Sequence, residues 1–465
     1  MRSFELYLAG ACVFAIVWPA LFGVRPRRGL VAILLPVLVV LQWQVEGFRW
    51  QLLPLYIVAI GLAAGDVVAV EERHLPWFRR VGRGIFGLVG LGLVVAPAVI
   101  LPVPQLPLPA GPSIIGTMTA EVSSVVPEGG FGGDRTGHRT VVARVWYPAG
   151  SVERQKPEPW EPDFDVVVPA FAREMGRPGF FFDQARYTRS HAYKDAPVAE
   201  GAFPLLIYSH GWGEFSTIAL DQIESLVSQG YIVVALDHPG GAVATVVDGR
   251  VIPLAAEALD PPDASADQKL AAEAAVIDTF AADITAVLDE IERGPQGAFG
   301  ALTEAIDPEA VGMWGHGIGG GAVLEVCLTD PRCKAVAGLD PIVESFPDPL
   351  LATTATRPML LMRSDPWRDN VNDAVLKGIV ARSQTMTYWV DVLGADTSDF
   401  LATPAISPVA DRLGLKGPID GQRVMMINHR FLAGFFDRFL LGTGSAALDT
   451  ASFPEVNVEV LDNRP

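Results

Sequence analysis

The sequence predicts an α/β domain, a mostly parallel sheet covered by helices, preceded by a four-span transmembrane helical region. Three observations carry this. Half of the 465 residues are hydrophobic and the mean hydropathy is positive, which is too apolar for a wholly water-soluble chain. Four apolar stretches crowd residues 1–103. Beyond residue 200, continuous apolar runs alternate with amphipathic patterns, as strands buried on both faces alternate with the helices that cover them.

The apolar stretches are Leu6 to Val24, Gly29 to Trp43, Gln51 to Val70 and Gly84 to Val103. Three have the roughly 20 residues that cross a bilayer as a helix, and the second reaches that length if Gln44 and Val45 join it. Three further stretches after the first exclude a simple signal peptide, and the lack of a polar face argues against a soluble bundle. Asp66, the one acid inside a span, is expected near the interface or paired within the bundle, not carrying protons. Arg25, Arg27 and Arg28 lie between spans one and two, and Arg73, Arg79, Arg80 and Arg83 between three and four, against Arg49 alone between two and three. Positive charge favours the cytoplasmic side, so the chain is expected in the cell membrane as a multi-pass protein with everything after residue 104 outside the cytoplasm.

Charge and punctuation agree with this division. Residues 1–110 hold nine Arg, no Lys and five acids, and the rest holds 26 basic and 48 acidic residues. An acidic domain repels nucleic acid and anionic headgroups, which excludes nucleic acid as a partner. The Pro-rich run Pro102 to Pro112 cannot continue a helix, so the expected order is membrane spans over 1–103, a stiff linker over 104–113 and an α/β domain over 114–465. Cys327 and Cys333 flank a turn and form a disulfide candidate in an oxidising compartment, with two free thiols as the equal alternative.

Within the domain, Thr140 to Tyr147 alternates as a strand and is followed by a polar stretch rich in Pro and Gly to about residue 200. The regular rhythm then follows. Strand patterns at Pro204 to Ser209, Tyr231 to Asp237, Ala310 to Trp314, Ala335 to Asp340, Pro358 to Arg363 and Thr387 to Leu393 alternate with helical patterns at Ile218 to Gln229, Ala271 to Arg293, Gly320 to Leu328, Ala374 to Ser383 and Val424 to Leu441. Pro253 to Asp267 reads as an acidic loop that could overhang the sheet.

Two motifs carry chemistry. The first strand of the rhythm ends in Ser209-His210-Gly211-Trp212-Gly213, a His-Gly turn suited to presenting the Trp212 N–H to a substrate oxyanion. Further on, Val311-Gly312-Met313-Trp314-Gly315-His316-Gly317-Ile318-Gly319 runs as a strand, a tight turn and a helix start. This is the frame of a Gly-x-Ser-x-Gly nucleophile elbow, with Ile318 supplying the second N–H donor. Glycine stands where the serine belongs. It eases the strained turn while removing the hydroxyl. A dinucleotide fingerprint also matches Gly315-x-Gly317-x-x-Gly320 with Asp340 as the ribose-binding acid, but that motif normally opens its domain, and the upstream His-Gly turn would go unexplained.

From about residue 115 onward the chain resembles the platelet-activating-factor acetylhydrolase and dienelactone-hydrolase branch of the α/β-hydrolases. The resemblance lies in Val145-Trp146-Tyr147-Pro148, Asp195-Ala196-Pro197, Tyr208-Ser209-His210-Gly211, Gly230-Tyr231-Ile232-Val233-Val234 with Asp237-His238, and the elbow followed by Ala337-Gly338-Leu339-Asp340-Pro341. It implies the α/β-hydrolase fold, a Ser-Asp-His triad and hydrolysis of lipid or small acyl esters. Carried over position by position, the nucleophile falls on Gly317, the acid is retained at Asp340, and the histidine falls on Thr397 within Gly394-Ala395-Asp396-Thr397-Ser398-Asp399-Phe400.

No substitute is evident in the sequence. His429 precedes an aromatic helix and reads as structural. His238 reads as a hydrogen-bonded structural residue. His316 is the variable residue of the elbow with no hydroxyl or thiol assignable to it, while Thr397 and Ser398 lack an adjacent base. Neither a metal nor a cofactor is expected, since no His/Asp/Glu cluster has ligand spacing. The expectation is therefore a catalytically degenerate, membrane-anchored hydrolase domain that binds an acyl or lipid-like ligand or a protein partner. The alternatives are an active carboxylic-ester hydrolase and a structural scaffold.

Overall fold

Apolar spans and an acidic α/β sequence sort into separate units. The computed structural model describes residues 1–24, 26–27, 29–68, 76–152, 155–443, 448 and 453–464. One unit comprises 1–104 with 182–187 and 406–409, and the other comprises the remaining residues. Arg25, Arg28, Val70 and Arg73 lie outside the described residues.

The smaller unit packs α1 (Ser3–Phe22), α2 (Leu30–Glu46), α3 (Leu53–Val68) and α4 (Trp77–Ile100) around Leu8, Leu35, Leu55, Tyr56 and Ala59. Ser3–Phe22, Trp50–Val68 and Trp77–Ile100 are long and apolar enough to cross a membrane, whereas Leu30–Glu46 is shorter. The fourth helix differs from the sequence expectation. It starts at Trp77 behind Pro76, because proline at a helix entrance presets φ and needs no hydrogen-bond acceptor. Arg79, Arg80 and Arg83 therefore lie on its first turns instead of in a loop, and it stops at Ile100, short of Val103. Asp66 serves α2: its carboxylate accepts the Gly29 and Ala32 N–H groups at 3.1 and 3.2 Å, a negative charge on the positive end of a helix. Arg49 and Glu5 form a fully buried ion pair at 2.8 Å.

The larger unit opens with β1 (Ile114–Val125) and β2 (His138–Ala149), continues through α5 (Phe164–Glu174), β3 (Ala192–Lys194), β4 (Phe203–Ser209), α6 (Leu220–Ser228) and β5 (Ile232–Asp237), and reaches the hairpin β6 (Ala244–Val247) and β7 (Arg250–Pro253). Then come α7 (Ala256–Leu259), α8 (Ala266–Glu292), β8 (Ile306–His316), α9 (Gly317–Thr329), β9 (Ala335–Leu339) and α10 (Asp348–Leu351). The chain closes with β10 (Met359–Arg363), α11 (Val371–Ala381), β11 (Met386–Val392), α12 (Gly421–Leu440) and β12 (Val456–Asp462). Among the described residues the main sheet has the order β12-β11-β10-β9-β8-β4-β5-β2-β1-β3. The six strands from β11 to β5 are parallel, while β2 and β12 join their edges antiparallel.

The parallel strands are buried along most of their length, with Pro308 and Glu309 near the start of β8 exposed, and Leu205, Val234, Ile284, Met313, Val323 and Leu361 meet in one core, so their apolar runs are nearly continuous. The Pro253–Asp267 segment is not all loop, since it contains α7 and the start of α8. Ser265 begins α8 with a reciprocal cap, its hydroxyl on the Gln268 N–H and the Gln268 side chain on its own. Cys327, near the end of α9, is bonded to Cys333, just before β9, with Cα atoms 5.1 Å apart. Replacing Cys333 by alanine is expected to lower stability by about 2 kcal/mol, the loop-closure entropy of so short a ring. Denaturant midpoints of the full chain in detergent measure this; no difference between oxidised and reduced protein would show that the bridge stabilises nothing.

Candidate active site

At the carboxyl edge of the sheet β8 passes directly into α9. His316 is the last extended residue, and Gly317 turns the chain at φ +53. The flanking glycines answer to close approach: a Cβ on Gly315 would collide with the Gly319 backbone, and one on Gly319 with the Ser209 and His210 carbonyls. Position 317 is different. A Cβ there meets only the Gly211 Cα, at 3.9 Å, so the space above the elbow accepts a side chain that the sequence does not supply. A non-glycine residue at this φ costs about 1–2 kcal/mol.

Asp340 follows β9 in a left-handed conformation, at φ +46, and is buried. Its carboxylate accepts the Ser364 N–H at 2.8 Å and the Ser364 hydroxyl at 2.5 Å. Burial pushes its pKa up to about 6, against the opposing pull of Ser364, His316 and the Thr397 side chain. Thr397 begins a 3₁₀ turn capped by Asp396, and it is exposed. The structure thus brings Asp340, Gly317 and Thr397 into one neighbourhood, with the Thr397 side chain beside the acid.

Two expectations are corrected here. His316 does have a hydroxyl beside it, and Thr397 does have a base: His316 Nε2 lies 3.0 Å from Thr397 Oγ1. On its other side His316 Nδ1 donates to Glu214 Oε1 at 2.7 Å. Glu214 turns its second oxygen to the Gly211 N–H, at 2.7 Å, and so closes the His-Gly turn onto the elbow. Burial opposes a charge on His316, but Glu214 and then Asp340 outweigh it and raise its pKa. Burial likewise opposes the Glu214 carboxylate, and the facing His316 outweighs it, so that pKa is lowered. The result is a nearly buried carboxylate–imidazole pair in contact with the hydroxyl of an exposed threonine. Sequence reading missed Glu214 altogether; the only trace is an acid directly after His210-Gly211-Trp212-Gly213.

Among the described residues, the Trp212 and Ile318 N–H groups have no hydrogen-bond acceptor. A second carboxylate–imidazole–hydroxyl chain exists, Asp283–His238–Ser209, with both contacts at 2.9 Å. Arg139 is paired to Asp283 at 3.1 Å and Phe280 is stacked on the His238 ring. Every member of it is buried, and burial pushes the His238 pKa down to about 4. It is a structural network. His429 pairs with Asp221 at 2.8 Å, joining α12 to α6. Among the described residues no group of three His, Cys, Asp or Glu is placed to hold a metal ion.

A parallel sheet with antiparallel flanks, a glycine-flanked strand–helix elbow and an acid after the next strand define an α/β-hydrolase-fold domain. Residues 130–251 match the family model described as platelet-activating factor acetylhydrolase, isoform II. A solved ferulic acid esterase from Streptomyces cinnamoneus is similar at 24% identity and a TM-score of 0.59, over 77% of this chain and 99% of the esterase. The larger unit accordingly has the α/β-hydrolase fold, and over residues 130–251 it is similar to the platelet-activating factor acetylhydrolase family. The family match takes in the His-Gly turn and Glu214 and stops before Gly317.

The three shifted groups set a pH dependence. The stabilisation from His316, whose pKa is raised, is complete below the ordinary histidine value of about 6.5 and is lost as pH rises through the folded value. Asp340, also raised, weakens the fold progressively as pH climbs from about 4 to about 6. Glu214, lowered, stabilises above the ordinary carboxylate range and fails only in acid. Unfolding free energy is therefore expected to decline on the alkaline side of pH 6.5. In His316→Gln, destabilised by about 3–5 kcal/mol through the unpaired Glu214, that alkaline decline should flatten. Thermal unfolding across pH measures both, and an unchanged alkaline slope in the variant would count against the His316–Glu214 pair as its source.

Proposed function

We propose that this chain is a membrane-anchored protein whose hydrolase-fold unit, outside the cytoplasm, binds an acyl or lipid-like ester ligand without turning it over by Ser-Asp-His chemistry. One observation carries this reading: Asp340 keeps its place and its Ser364 support, while the position above the elbow is bare at Gly317 and the group facing the acid is Thr397. A glycine cannot form an acyl-enzyme, and a threonine cannot relay a proton between acid and nucleophile as an imidazole does. The Trp212 and Ile318 N–H groups, free of acceptors among the described residues, support a carbonyl oxygen as the ligand's polar anchor.

The membrane and the compartment are part of the proposal. They are supported by three helices of spanning length and apolarity and by the arginines of the first interspan segment and of the first turns of α4. The Cys327–Cys333 bridge accords with an oxidising compartment.

A loss of the order of 10⁶ in kcat relative to an intact triad is expected. Gly317→Ser combined with Thr397→His should regain measurable hydrolysis of short p-nitrophenyl esters, and neither change alone should. Steady-state assays of the full chain in detergent check this. Wild-type turnover near that of a working esterase, abolished by Asp340→Ala, would overturn the reading.

A further inference from the structure

Of the two carboxylate–imidazole–hydroxyl chains in the larger unit, one ends on a group that a ligand can reach. Asp283–His238–Ser209 is wholly buried. In Glu214–His316–Thr397 the carboxylate and the ring are buried and the threonine is an exposed residue, at the edge of the sheet where Gly317 leaves open space. We propose that Thr397 is an acyl-accepting nucleophile, activated by His316 and Glu214, that captures the acyl group of an ester bound beside Gly317. This rests on the reading of the pocket as an acyl-ester site and extends it from binding to covalent capture.

Each member has a role that its contacts support. Glu214 accepts from Nδ1 at 2.7 Å, which fixes the tautomer of a neutral His316 with its free lone pair on Nε2. That lone pair faces Thr397 Oγ1 at 3.0 Å, within reach for general-base proton transfer. The same Glu214 accepts from the Gly211 N–H, so the turn bearing the Trp212 N–H is tied to the base, while the Ile318 N–H follows His316 by two residues. The step balances. Thr397 Oγ1 forms a bond to the acyl carbon as its proton passes to His316 Nε2, the ester C–O bond breaks, and the alcohol oxygen leaves with that proton. The product is an acyl-threonine ester and free alcohol.

Protonated His316 cannot act as the base. Glu214 and Asp340 are the charged groups that hold its proton, so capture should accelerate with rising pH to beyond the ordinary histidine range. In a working triad the imidazole is a separate residue brought by the loop after the sixth parallel strand, and the hydroxyl stands on the elbow. Here the elbow carries the imidazole and that loop carries the hydroxyl.

The experiment incubates the full chain in detergent with p-nitrophenyl acetate, follows the p-nitrophenolate released in the first turnover and maps acetylated residues by peptide mass spectrometry. The expected result is a burst of one equivalent with acetyl on Thr397. It should be kept in Thr397→Ser, lost in Thr397→Val, and slowed by about 10²–10⁴-fold in His316→Gln. Thr397→Val is nearly isosteric, and its thermal unfolding confirms that it folds. A wild-type protein without acetyl on Thr397, or a burst unaffected in Thr397→Val, would overturn the proposal. Binding of an unreactive acyl amide, read by thermal shift, separates the two readings: a shift without acetylation removes covalent capture alone, and the absence of both removes the acyl-ester site as well.

Discussion

The Glu214 carboxylate holds the site together. One oxygen takes the Gly211 N–H and the other the His316 ring, so a single side chain pins the turn after β4 to the junction of β8 and α9. Both segments end in glycine-rich backbone whose polar groups would otherwise be buried without partners, and an unpaired buried charge or N–H is costly. When protonated, the His316 ring also offsets part of the burial cost of Asp340, after the two Ser364 hydrogen bonds.

This arrangement explains how the elbow holds its shape with glycine at 317 and threonine at 397. The Ser364 N–H and hydroxyl anchor Asp340, and Thr397 is hydrogen-bonded to His316. Asp340, His316 and Thr397 each have a hydrogen-bond partner there. The buried chain Asp283–His238–Ser209, braced by Arg139, does the same on the other side of the His-Gly turn. Two polar networks, one dry and one opening to solvent, thus flank the short segment from Ser209 to Glu214.

Much of the fold was legible in the sequence because parallel strands buried on both faces announce themselves as apolar runs: β4, β5 and β8 to β11 all fall on such runs. Of the flanking strands only β2 was legible, from the alternation of Thr140 to Tyr147. β1 carries Thr119, Glu121, Ser123 and Ser124 on a half-exposed edge pairing, and β12 is an edge strand with charged residues, so neither shows the continuous pattern. The elbow and its acid could be read from local spacing. Glu214 and the real setting of His316 could not, because the partners of that ring lie 102 and 81 residues away in sequence and only the closed sheet makes them neighbours. A motif's variable residue looks idle in a string of letters. Its hydrogen bonds are a property of the tertiary fold.

The Cys327–Cys333 bond has a consequence at the opposite end of the elements it joins. α9 starts at Gly317 and ends beside the bridge, and β9 starts beside it and ends before Asp340. Helix and strand are thus clamped at their base like the arms of a caliper, with the elbow and the acid at the tips. The loops around Trp212 and Thr397 reach the elbow through hydrogen bonds instead, by way of Glu214 and His316. The site is thus held by a covalent bond at its base and by polar contacts at its mouth.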